Sequence, residues 1–320
     1  MSARAGGGGG PVPTVPRRGW TGRLLWALGA GVAAYFLGWE AVVLWALAVA
    51  GWEGIAALAR REGRAARLLV PALFGLLLLA LWEIAVRLYA VPPVILPAPS
   101  AIAGAIAANG SLLWGDFVQT ALKGALSGWL IGCGAALLAA LAVASSDFLR
   151  RGLLPVGNLV AALPIVGTAP ILVMWFGFGW ESKAAVVVLM VFFPVLVNAV
   201  AGLSDTTPIQ RDLLATYAAT PGQRLRKLRI PAALPFVFNG LKIATTLALV
   251  GAIVAEFFGS PTQGIGFRIS AEVGRLNLPV VWAEIAVASL AGSAFYGAVA
   301  LAERRACFWH PSHRQGGDRP

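Results

Sequence analysis

Three carboxylates set in apolar runs, and one basic segment between two such runs, carry most of the chemical capacity of this chain. Glu83, Glu256 and Glu284 stand in strongly apolar surroundings, where an ionisable group is costly and marks a functional position or a fixed partner. Glu83 has Arg87 four residues on, a spacing that supports a local ion pair on one helix face. Glu256 lies between Ala248-Leu249-Val250-Gly251-Ala252 and Phe257-Phe258-Gly259. It is the candidate to line an outer mouth or to seal against a second subunit. The basic segment, Arg211 to Pro235, reads RDLLATYAATPGQRLRKLRIPAALP. Residues 211–219 favour helix, Pro221-Gly222 breaks it, and 223–230 form a short basic helix ahead of Pro231 and Pro235. Gly222 is the residue expected to allow the turn. An element of this kind reads as a docking site for a soluble partner. The rival reading is a basic loop that only sets topology, and the length, the internal turn and the two prolines weigh against it. No catalytic residues are assigned, because neither H-E-x-x-H nor G-x-S-x-G occurs. No metal site is assigned either, since His310 and His313 in the tail lack further ligands nearby.

The elements that must position these residues follow from composition. The chain has 320 residues, 58% hydrophobic and only 12% charged, with twelve Trp and a mean hydropathy of +0.78. Soluble domains carry roughly 25% charged residues, so an ordinary soluble enzyme, a disordered chain and a disulfide scaffold are all excluded. The fold class is all-α, a polytopic transmembrane helical bundle. Residues 1–23, with a glycine run, three prolines and basic residues, are expected to be a disordered basic tail. The apolar stretch 24–59 would run ~54 Å as one helix, against a hydrocarbon core of ~30 Å. Gly38-Trp39-Glu40 at its middle predicts a hairpin of two short spans. Ala48 and Ala50 form a formal A-x-A cleavage site, but the apolar run before it exceeds a signal-peptide core of roughly 7–15 residues. Further apolar segments lie at 68–89, 117–144, 153–175, 184–203, 235–258 and 280–302. With the hairpin they make eight.

Charge tests this layout. With the amino terminus inside, 19 of the 25 Lys and Arg fall on the cytoplasmic side, including Arg60, Arg61, Arg64 and Arg67, and five between Arg211 and Arg229. Lys183, Arg268 and Arg275 fall in outer loops, while Arg87, Lys123 and Lys242 lie in or beside helices. Cytoplasmic enrichment of Lys and Arg is the expected bias, and a single span over 24–59 would invert it. The net charge of +11 thus marks a membrane face, with lipid as the surroundings and no nucleic-acid partner.

Packing signals follow. Gly124, Gly128, Gly132, Ala136, Ala140 and Ala144 recur every four residues, a stripe that admits close approach of another helix, with intrachain packing favoured over a dimer contact. Pro155, Pro164 and Pro170 predict either a broken helix beside a pathway or simple kinks, and Pro164 joins Glu83 and Glu256 as a candidate path or gate residue. Phe176-Gly177-Phe178-Gly179-Trp180 reads as an outer aromatic turn. Lys242, near the cytoplasmic side with Asn198 and Asn239, is expected to snorkel.

The basic segment resembles the EAA loop of binding-protein-dependent ABC importer permease proteins, E-A-A-x3-G-x9-I-x-L-P. With the pattern's glycine on Gly222, Ala218 falls on the second alanine and Leu234-Pro235 on the final L-P. Thr216, Tyr217 and Ala232 depart from the pattern's Glu, first Ala and Ile. Trp82-Glu83, Pro92-Pro93, Leu96-Pro97-Ala98-Pro99-Ser100, Val254-Ala255-Glu256, Gly264-Ile265-Gly266 and Trp309-His310-Pro311-Ser312 resemble the nitrate/sulfonate/taurine branch. The likeness spans about residues 68–314. It implies a MetI-like permease domain over 68–302, a six-helix core preceded by the extra 24–59 hairpin, with a cytoplasmic coupling loop at 204–234 and a cytoplasmic tail at 303–320. It further implies a homodimer in the inner membrane with both termini cytoplasmic, a cytoplasmic ATPase dimer docked on the loop and a periplasmic binding protein that delivers solute. Thr216, Tyr217, Ala218, Gly222, Gln223, Arg224, Arg226, Lys227, Leu234 and Pro235 would form the coupling loop. ATP would be bound by the partner, since this chain has no G-x-x-x-x-G-K-[ST]; the chain itself would be no enzyme and carry no cofactor. The cargo would be a sulfonate, a nitrate-like anion or a pyrimidine or vitamin precursor. The rival class, an ion-gradient-driven secondary transporter, calls for midplane carboxylates or inverted repeats, and neither is visible.

Overall fold

The computed structural model describes residue 31 and residues 38–60, 63–161, 163–259 and 262–309. The basic tail, the first arm of the expected hairpin (Gly31 apart), Arg61, and the histidines at 310 and 313 lie outside them. Every regular element among the described residues is helical. In chain order they are α1 (Trp39–Ala59), α2 (Arg64–Leu88), α3 (Pro99–Ala108), α4 (Gly110–Ser145), α5 (Asp147–Ala161), α6 (Ile165–Phe176), α7 (Trp180–Ser204), α8 (Pro208–Thr216), α9 (Pro221–Gly259), α10 (Ile265–Gly274) and α11 (Leu278–Ala306). Both α4 and α9 contain a wider π turn, at Val118–Leu126 and Leu225–Arg229. Six helices among the described residues are long and apolar enough to cross a membrane: α1, the Leu68–Leu88 part of α2, α4, α7, α9 and α11. The 153–175 segment is not one span. It is divided between α5 and α6, with Pro164 immediately before α6 and Pro155 and Pro170 inside the two helices. A proline lacks the N–H that would bond a preceding turn and its ring crowds the carbonyl four residues back, which accounts for the break beside Pro164.

The chain divides into two compact units, residues 1–100 and 101–320. In the first, Gly38 at φ +87° precedes α1. Gly51 faces Leu77 and Trp52 meets Phe74 edge to face at 6.3 Å, so α1 and α2 run antiparallel. At the far end of α2, Glu83 pairs with Arg87 at 2.6 Å. Its carboxylate also accepts from the Ser100 N–H at 2.9 Å and hydroxyl at 2.8 Å.

In the second unit α7 is the axis. Val186, Val187, Val191, Val195 and Leu196 are fully buried, with α4 on one side and α9 on another. Gly128 faces Val187 and Gly132 faces Val191, a constant offset that makes α4 and α7 parallel. Gly202 faces Ala233 and Phe236, and Gly251 faces Met190, so α9 runs antiparallel to α7. Lipid gives apolar side chains no drive to leave it, and close backbone approach between small residues supplies the packing. The stripe Gly124, Gly128, Gly132 is thus turned onto α7 of the same chain.

Candidate functional site

The segment between α7 and α9 is built from two local stop-and-start signals. Thr207 caps α8: its hydroxyl accepts the Gln210 N–H at 3.3 Å, and the Gln210 side chain accepts the Thr207 N–H at 3.0 Å. Thr220 does the same for α9 with Gln223, at 3.3 and 2.8 Å. Each is a capping box with proline at the first helical position, which satisfies donors that a helix start leaves open. The repeated Thr-Pro-x-Gln, at 207–210 and 220–223, was the sequence signal for both starts. Reading Pro221 as a breaker missed it.

The turn between the two helices lies on Ala218, not on Gly222. Ala218 has φ +51°. The Ala219 N–H bonds the Leu214 carbonyl at 3.0 Å and the Ala218 N–H the Ala215 carbonyl at 2.9 Å, the double closure of a Schellman end. Gly222 sits in the first turn of α9, and a Cβ there would meet nothing within 4 Å. Leu234 and Pro235 likewise lie inside α9 rather than at its start. Leu234 lines an apolar cavity of about 200 Å³ with Leu137, Leu141, Leu203 and Val237.

Thr216, Tyr217, Ala218, Gly222, Gln223, Arg224, Arg226 and Lys227 are all exposed. Arg224 donates back to the Ala219 carbonyl at 3.0 Å. Along α8, Ile209, Leu213 and Tyr217 are 80%, 56% and 76% exposed, and their spacing of four places them on one face. That apolar stripe is visible in the sequence as a period of four beside the basic residues. Arg229, counted with the loop's positive charges, turns inward: its Nε donates to the Leu203 carbonyl at 2.9 Å and an Nη to the Ala144 carbonyl at 3.2 Å.

At the other end of α9 the isolated carboxylates acquire partners. Glu256, 1% exposed, accepts from the Thr120 hydroxyl at 2.8 Å and from the Gly266 N–H at 2.8 Å. Thr120 also accepts the Ile265 N–H at 2.8 Å. Asp116 accepts the Gly264 N–H at 2.6 Å and the Arg268 Nε at 2.9 Å. Three side chains from α4 and α9 thus hold the open N–H groups at the start of α10. Asp116 and Thr120 were not singled out in the sequence. An acid at the threshold of an apolar run was the available signal. Glu284 is fully buried beside Asp116.

Glu256 also borders a cavity of about 310 Å³ whose wall includes Phe178, Phe257, Phe258, Phe267 and Ser270. Pro164 is not among its lining residues. Lys183 is no loop charge. It lies in the first turn of α7, fully buried, and its ammonium donates to the Phe178 carbonyl at 2.7 Å and to the Gly259 carbonyl. Lys242 does not snorkel freely either, since it pairs with Glu303 at 2.8 Å. Asn198 and Asn239 bond one another at 3.1 Å.

Comparison with known proteins shows the family. Residues 128–306 match the family model described as "Binding-protein-dependent transport system inner membrane component". A probable ABC transporter permease protein of Haemophilus influenzae is 35% identical over 224 residues, covering 69% of this chain and 89% of the relative. The formylaminopyrimidine transport permease protein ThiX of Halalkalibacterium halodurans is 31% identical, covering 77% of this chain and 98% of the relative. The riboflavin transport system permease protein RibX of Chloroflexus aurantiacus is 32% identical, covering 74% and 88%. This chain belongs to the family of binding-protein-dependent transport system inner membrane components, as a multi-pass ABC importer permease whose family works with an ATPase and a substrate-binding protein.

Proposed function

We propose that residues 208–229 are the surface on which the cytoplasmic ATPase dimer docks, and that two copies of this chain enclose the solute path. The observation that carries the reading is the exposure of α8 and the α9 start, where Ile209, Leu213 and Tyr217 face outward and Arg226 and Lys227 are exposed as well. Apolar anchors rimmed by charge are what a stable protein interface requires. In this reading the apolar stripe supplies the centre of the contact and the basic residues its rim. The loop lies in the cytoplasm with both termini, as the asymmetry of Lys and Arg supports.

Nucleotide binding and hydrolysis belong to the partner, because this sequence has no phosphate-cradling loop; the chain contributes neither catalytic residue nor cofactor. Glu256, next to the cavity at the outer end of α9, is the gate residue in this reading, with α10 as the element it holds. The cargo is a small solute, with a pyrimidine or vitamin precursor favoured by the formylaminopyrimidine and riboflavin relatives.

The test is co-purification of the full-length chain with its ATPase. The double substitutions Leu213→Asp with Tyr217→Asp, and Arg226→Glu with Lys227→Glu, alter only exposed side chains. Both should leave thermal unfolding of the permease unchanged while ATPase capture is lost. Capture that persists in both variants would sink the assignment of this surface.

A further inference from the structure

The Arg229 side chain joins three helices. It departs from the end of the π turn in α9 and reaches two carbonyls that occupy the same place in two other helices. Leu203 is the next-to-last residue of α7 and Ala144 the next-to-last of α4. The last four carbonyls of a helix have no partner within it, and their negative dipole end favours a cation. A planar guanidinium with several fixed donors satisfies two such ends at once, which an ammonium does less well.

The two ends so joined already belong to one packed body. Gly128 and Gly132 set α4 against Val187 and Val191 of α7, and Ala136 and Ala140 continue the buried stripe towards Ala144. Arg229 is also only a few residues beyond the exposed Arg226 and Lys227. A displacement delivered at the α8–α9 turn therefore has a polar route to the α4–α7 pair through this side chain, beside the apolar contact of Leu225 with the same core.

We propose that Arg229 is a positioning residue for energy coupling: it ties the docking loop to the ends of α4 and α7, so that movement of the loop becomes movement of the bundle. This rests on the docking role proposed above. The sequence would have assigned Arg229 to the docking face with its basic neighbours; the structure assigns it the opposite direction.

The experiment is hydrogen exchange on the full-length chain in complex with its ATPase in nanodiscs, with and without ATP plus orthovanadate. In the unaltered complex the nucleotide should change exchange in the loop (208–229) and also at the ends of α4 (140–146) and α7 (200–206). In Arg229→Gln the nucleotide response of the loop should remain and that of both helix ends should be lost. A merely structural role would raise exchange at those ends in both nucleotide states and leave the difference intact. Arg229→Lys keeps the charge but not the fork, and should lose the response at one end. It is the deciding variant if Arg229→Gln does not assemble. A nucleotide response undiminished at both ends in the variant that assembles would overturn the proposal. If the unaltered chain captures no ATPase, the docking assignment itself fails, a result separable from any property of Arg229.

Discussion

Replacement of Gly128 by alanine tests the packing of α4 on α7 directly. An added Cβ would lie 2.5 Å from the Val187 Cβ, 2.7 Å from its Cγ1 and 2.8 Å from the Ala184 carbonyl oxygen. Carbon atoms in contact sit about 3.5–4.0 Å apart, so the helices must separate by roughly 1 Å or more at this level. A rotamer change does not relieve it, because Cβ and the backbone oxygen are fixed to the main chain. Forced overpacking of this kind costs about 1–3 kcal/mol, offset by the roughly 1 kcal/mol that alanine gains over glycine in a helix.

Gly134 lies in the same helix, exposed, with nothing within 4 Å of the same added atom. Gly134→Ala therefore carries the propensity gain without the clash. The two variants should differ by about 1–3 kcal/mol, or several degrees at roughly 2 °C per kcal/mol for a chain of this size. Thermal unfolding in detergent, at one scan rate, is the measurement. Gly128→Ala is expected below the parent and Gly134→Ala at or above it. Equal midpoints for the two would refute the argument that α4 and α7 touch through this stripe.

Two further outcomes follow from local geometry. Ala218→Gly should stabilise the α8–α9 turn by about 1 kcal/mol, because the left-handed conformation costs a residue with a Cβ roughly that much, whereas Ala218→Val should weaken it; hydrogen exchange at Ala218 and Ala219 reports both. Asp116→Ala removes a buried acceptor from the Gly264 N–H and from Arg268. It is expected to destabilise by about 3–5 kcal/mol, the usual cost of breaking a buried pair from one side, with a lowered unfolding midpoint and faster exchange at Gly264.

Most of the apolar segments and the class of protein were legible because each rests on local sequence. A run of apolar residues long enough to cross a bilayer has few alternatives once its backbone must satisfy its own hydrogen bonds, and the EAA-like spacing lies within one stretch of chain. The two Thr-Pro-x-Gln boxes are equally local. Other properties were out of reach because they depend on residues far apart in the chain. Glu256 reads alone as an isolated acid, yet Thr120, 136 residues away, and the start of α10 make it the holder of a helix end. Lys183 and Lys242 read as loop and interface charges, but the fold buries the first against carbonyls and gives the second to Glu303.

The sequence by itself determined that this chain is a helical membrane protein of the importer permease family. Hydropathy, charge bias and capping act over a few residues and need no knowledge of the rest. Only the tertiary structure decided which way each polar side chain faces. Arg226 and Arg229 are three apart in one basic run, yet the first remains exposed and the second binds the ends of α4 and α7. The reason is that a helix end always leaves carbonyls without a partner inside the helix, and only the fold decides which distant donor reaches them.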